Sequence, residues 1–159
     1  MLAIPIIFFV ISTTMFFANT LTPMLLQSPD YYHIDKSVIG SYTSRALLWA
    51  QLVPIILLPF YALIFEMIGR RIPIAFALIS TCVSLFLFPK VSPNFTLLVV
   101  LRALIGFNNN LVIGCPLITD SIKKESRGRA ISMQTMSIGI AQAFANIVLV
   151  PITLNMTYD

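Results

Sequence analysis

Apolar residues run along this chain in five long blocks, at residues 2–26, 46–67, 72–88, 95–118 and 130–154, separated by short polar stretches. A helix that crosses a bilayer needs about 20 predominantly apolar residues, and each block predicts one such helix. The second and third blocks are joined by only Glu66-Met67-Ile68-Gly69-Arg70-Arg71. So short a link cannot form a domain of its own, and it predicts a tight helical hairpin. The second half of the first block is interrupted by Asn19, Thr20, Thr22 and Pro23. A proline inside a membrane helix frees a carbonyl that neighbouring groups must satisfy, so this half is expected to bend and to face protein or a cavity.

Composition agrees with the pattern. Of 159 residues, 58% are hydrophobic and only 10% charged, and the mean hydropathy is +0.92. A soluble domain carries about 25% charged residues, so there is too little polar surface here to cover a water-soluble globule. The chain is read as an all-α, multi-pass membrane protein in contact with the lipid bilayer. The first block begins at Met1 without a basic stretch ahead of it, and it is read as a retained helix instead of a cleaved leader. The net charge of +4 does not point to nucleic acid, because the basic residues sit in short loops and do not interleave with aromatic ones.

Charge sets an orientation. Arg70, Arg71, Lys123, Lys124, Arg127 and Arg129 fall in the second and fourth loops, against Lys36, Arg45 and Lys90 in the others. The positive-inside rule puts the richer loops on the cytoplasmic or equivalent side, with the N-terminus on that side and the C-terminus opposite. Tyr31, Tyr32 and Tyr42 suit the outer interface. The organelle is not specified by any of these features.

Within the spans, a few polar positions stand out. Arg102, Gly106, Asn110 and Gly114 recur every four residues and share one helical face. The small residues allow a close helix neighbour, and Arg102 adds a charge that is costly at that depth unless it is paired or hydrated. It is either part of a polar pathway or gate, or a side chain reaching back to the outer interface. Asn108, Asn109 and Asn110 point about 100° apart, so at least one must meet another helix or water, either in simple interhelical hydrogen bonding or against a polar solute. Ser132, Thr135, Gly139, Gln142 and Asn146 form one stripe on the last block, which must face protein or a water-filled cavity.

Cys82 and Cys115 fall within spans and are read as small packing residues, with no disulfide or metal role. His33 is expected in a solvated loop. No nucleophile–base pair, phosphate-binding loop or metal-spaced cluster occurs. Glu66, Asp120 and Glu125, near the basic side, suit ion pairing with Arg70, Arg71 and Arg127 better than acid–base catalysis. No catalytic residue, metal or cofactor is expected.

Taken together these stretches resemble the major facilitator superfamily of solute transporters. The family's loop between helices two and three reads Gly-x-x-x-Asp-Arg-x-Gly-Arg-Arg. The corresponding stretch here runs from Ala62 through Glu66, Met67 and Gly69 to Arg70 and Arg71. Arg102 and Gly106 match the Arg-x-x-x-Gly of the fourth helix. Asp120, Arg127, Gly128, Arg129 and Ala130 match an Asp-x6-Arg-Gly-Arg-Ala loop. This chain departs from the pattern at Ala62, Glu66 and Met67, and in placing Asn108 and Asn110 where the family prefers small residues. The resemblance implies an amino-terminal bundle of helices one to five, lacking helix six. It also implies a charge network of Glu66, Gly69, Arg70, Arg71, Asp120, Arg127 and Gly128, and a polar path near Arg102, Asn108, Asn110, Thr135, Gln142 and Asn146. Family transporters place substrate between two halves related by an internal repeat. The expectation is therefore a facilitator-type secondary transporter of a small polar solute, present as one half that needs a partner membrane chain or a second half. The competing expectation is a structural accessory subunit, derived from a transporter, in a large membrane complex.

Overall fold

A computed structural model describes residues 3–28, 31–32, 34–35, 37–114 and 122–152 of the chain. His33, Cys115 and Asp120 lie outside the described residues. Among the described residues five α-helices follow one another: α1 Ala3–Gln27, α2 Ile39–Ile68, α3 Arg71–Leu87, α4 Phe95–Gly114 and α5 Arg127–Phe144, the last continuing through a π turn at Ala145–Leu149. Among the described residues there is no strand. Single 3₁₀ turns at Pro89–Val91 and Lys124–Ser126 lead towards α4 and α5.

Length and hydropathy make α1, α4 and α5 able to cross a membrane. α2 does so as a bent pair, Ile39–Leu57 and Pro59–Ile68, meeting at 52°. Pro59 explains the break, because its ring clashes with the carbonyl four residues back and it donates no hydrogen bond. α3 has 17 residues, at the short end of what spans the hydrocarbon. α2 starts seven residues ahead of the apolar block that predicts it, because Ile39, Tyr42 and Thr43 extend the helix outward through a less apolar turn.

The α2–α3 link is the tight hairpin its sequence predicts. Gly69 ends α2 with φ 78°, a left-handed conformation that glycine adopts without Cβ strain. Arg70 then caps α3, and its carbonyl accepts from the Ile74 amide at 3.4 Å.

Bilayer solvent inverts the usual amphipathic rule, and α3 shows it most plainly. Ile72, Phe76, Ile79, Val83 and Phe86 are exposed on one face, at spacings of three and four. Pro73, Ile74, Ala77, Thr81 and Ser84 are buried on the other. The polar members satisfy themselves locally: Thr81 Oγ1 donates to the Ala77 carbonyl and Ser84 Oγ to the Ser80 carbonyl, both at 2.7 Å. Such back-bonding is how hydroxyls are tolerated inside membrane helices. Cys82 lies on the exposed face of α3, not in the interior where the sequence places it. Its packing-residue reading is corrected by the helical phase, which turns Thr81 inward and carries position 82 outward.

α4 is the centre of the packing, against α2 most extensively and then α3. α1 touches α4 and α2 and also packs against α5, where the Phe9 and Phe144 rings meet tilted by 52° at 5.9 Å. Of the most apolar 18-residue stretch in each helix, 44% is buried in α4 but only 11% in α5. The core has an inner cluster around Ile11, Tyr61, Phe65, Ile74 and Val112. An outer cluster lies around Met15, Leu26, Phe88, Leu98 and Ile105.

Candidate polar path and charge network

Gly106 is where α4 meets α2. A Cβ built there would lie 2.2 Å from the Ala50 carbonyl oxygen and 3.0 Å from its carbon. Only a glycine allows the two backbones this close. At the next residue of α4, the Phe107 carbonyl accepts from Tyr61 of α2 at 3.4 Å, and the two rings stand edge to face at 5.3 Å.

The face that carries Arg102 turns towards α1. Arg102 is only 1% exposed, so the reading in which it reaches out to the interface does not hold. Its Nη2 donates to Asn19 Oδ1, and its Nη1 lies 3.8 Å from Met15 Sδ. Both partners are neutral. The α1 side of this seam is polar for local reasons as well. Thr22 Oγ1 donates to the Ala18 carbonyl at 2.7 Å and Thr20 Oγ1 to the Phe16 carbonyl at 3.2 Å. Pro23 leaves the Asn19 carbonyl without its helical donor.

The three asparagines divide as helical phase demands. Asn108 Nδ2 donates to Ser80 Oγ of α3 at 3.0 Å. Asn110 Nδ2 turns back to the Gly106 carbonyl at 2.9 Å. Asn109 is 9% exposed. The Oδ1 atoms of both Asn108 and Asn109 are buried without a partner.

On α5, Ser132, Thr135, Gly139, Gln142 and Asn146 are all exposed. Ser132 and Thr135 satisfy their hydroxyls on the carbonyls of Gly128 and Ile131, at 3.0 and 3.1 Å. No other described part of the chain covers the stripe.

At the basic end, Glu66 and Arg71 are exposed, and no ion pair among the described residues involves Glu66. Arg127 opens α5, with its Nε donating to the Ile122 carbonyl at 3.4 Å, and Gly128 has open space beside it. The Asp120 arm of the expected network lies outside the described residues. At the opposite end Tyr31, Tyr32 and Tyr42 pack on the outer cluster. Tyr42 meets Phe95 edge to face at 4.9 Å, and Ser92 Oγ donates to the Tyr31 carbonyl. Burial pushes the Tyr32 phenol above its ordinary pKa.

Sequence reasoning singled out Arg102 and Gly106 but not the residues they meet. Asn19 and Met15 stand one turn apart on α1, and a polar residue in mid-run was the available signal for Asn19. Nothing in the sequence marks Ala50 or Ser80 as contact partners.

The family profile described as Major Facilitator Superfamily matches residues 6–154. No curated protein and no solved structure gives a significant match.

Proposed function

The chain belongs to the major facilitator superfamily, and on that premise we propose that it forms one wall of a facilitator-type secondary transporter for a small polar solute. A partner membrane chain or a second half supplies the opposite wall, and alternating access moves the solute between them. The observation that carries this reading is the uncovered stripe of α5. Gln142 and Asn146 lie exposed along a helix long and apolar enough to cross the membrane. Amide side chains left in hydrocarbon without a partner cost about 1–3 kcal/mol each on protein-derived scales, so the stripe calls for water or protein opposite it.

Thiol labelling in native membranes tests this, in a background with Cys82 and Cys115 replaced by serine. Gln142→Cys is expected to react with a membrane-impermeant maleimide, whereas Ile140→Cys, exposed on a different face of the same helix, stays unreactive in lipid. Protection of both positions removes the aqueous path and favours the accessory-subunit reading, in which a partner chain seals the stripe.

The orientation follows from the uneven distribution of basic residues. Ser126→Cys is expected to label from the cytoplasmic-equivalent side and Ser37→Cys from the other. Labelling of both from one side would overturn the assigned topology.

A further inference from the structure

A buried guanidinium needs a countercharge, and the described interior of this bundle provides none. The described carboxylates are Asp35, Glu66 and Glu125, and all stand in loops or near helix ends. Arg102 is 99% enclosed, yet among the described residues its guanidinium hydrogen-bonds only to an amide oxygen and a thioether sulfur. Guanidinium carries five N–H donors in a planar fork suited to a carboxylate or similar oxyanion. Sulfur is a weak acceptor, so the fork is far from satisfied by its two contacts.

The surroundings are built for a polar guest. Asn19 accepts from Arg102 through Oδ1, which leaves its own Nδ2 as a donor beside the guanidinium. α1 and α4 run antiparallel, and the register that sets Arg102 against Met15 and Asn19 places Asn109 near the level of Ser12. Arg102 and Asn109, seven residues apart, share a helical face. Ser12 is 3% exposed, and its hydroxyl can act as a further donor at that level. The α1–α4 contact is thinner than those α4 makes with α2 and α3, so α4 loses less packing by parting from α1 than from either of them.

We infer that the α1–α4 seam is a binding site for a small monovalent anion, with Arg102 as its countercharge and Asn19 as a second donor, and that the transported solute is therefore anionic. The assignment of the solute rests on the transporter reading, but binding is measurable without transport. Acetate and nitrate serve as probes, titrated onto the purified chain in chloride-free detergent or nanodiscs. Sodium gluconate holds ionic strength constant. Each probe is expected to raise the apparent Tm saturably, by about 3–6 °C at tenfold excess over its Kd.

Asn19→Asp is the decisive variant. It places a carboxylate within hydrogen-bond reach of Arg102 and so satisfies the charge from inside. Its basal Tm is expected to rise and its response to acetate and nitrate to vanish. Arg102→Gln is expected to lose the response as well. A wild-type chain with no saturable response, or an unchanged response in Asn19→Asp, overturns the site. Anion binding without Gln142→Cys reactivity would sink the aqueous-path reading and leave the anion site standing. The reverse result would leave a transporter whose solute is not an anion.

Discussion

Replacing Gly106 with alanine is expected to separate α2 from α4. The new Cβ would fall 2.2 Å from the Ala50 carbonyl oxygen. The obstacle is backbone, so no rotamer change relieves it, and one of the helices has to move. Overpacking of this kind costs about 1–3 kcal/mol and sometimes more. Here it falls on the most extensive helix contact in the bundle. The expected result is a drop of several degrees in the apparent Tm in detergent, together with poor recovery of folded protein. Gly139→Ala is the matched control, because nothing lies within 4 Å of its Cβ position. Removing a helix-interior glycine there should be neutral or stabilising by up to about 1 kcal/mol. Equal stability of the two variants would mean that α2 and α4 do not approach at Gly106.

Asn19→Leu is expected to be the most damaging isosteric change on α1. It removes the one oxygen that the described structure gives to the buried Arg102 guanidinium. A hydrogen bond to a charged group is worth about 1.5–3 kcal/mol, and its loss here also leaves a charge desolvated. Arg102→Met in the same background should recover much of the loss, because the apolar pair no longer buries an unpartnered ion. Unfolding of the two single variants and the double variant in mixed micelles reads this as a non-additive cycle. Additive losses, or an Asn19→Leu chain as stable as wild type, would show that Arg102 does not depend on α1.

The hairpin at Gly69 and Arg70 was legible because the link is short and contains a glycine followed by arginines, a local signal. The five apolar blocks were legible because the bilayer imposes a length on every span. The exposed apolar side of α3 could also be read in principle, since large apolar residues recur there at three- and four-residue spacings. The placement of Cys82 was missed because membership of a span says nothing about which way a residue points.

Site residues divide in the same way. Gly106 could be identified as a close-approach position, and Arg102 as a costly charge, from residue type and depth alone. Ala50, Asn19, Met15 and Ser80 could not be identified as their partners or neighbours. Those pairings depend on the register between helices far apart in sequence, and register is fixed by side-chain packing over the whole interface.

By itself, then, the sequence determined the class of the protein, the five long helices seen among the described residues, the hairpin between α2 and α3, and the family motifs at the helix ends. Each of these follows from local composition acting against a solvent of fixed thickness. Only the tertiary structure decided that Arg102 turns inward onto neutral partners, that Gly106 seats on the Ala50 backbone, and that the α5 stripe stays uncovered. Those outcomes arise from which helices touch and at what phase. α1 is the main contact of α5, and the face with Gln142 and Asn146 stays exposed.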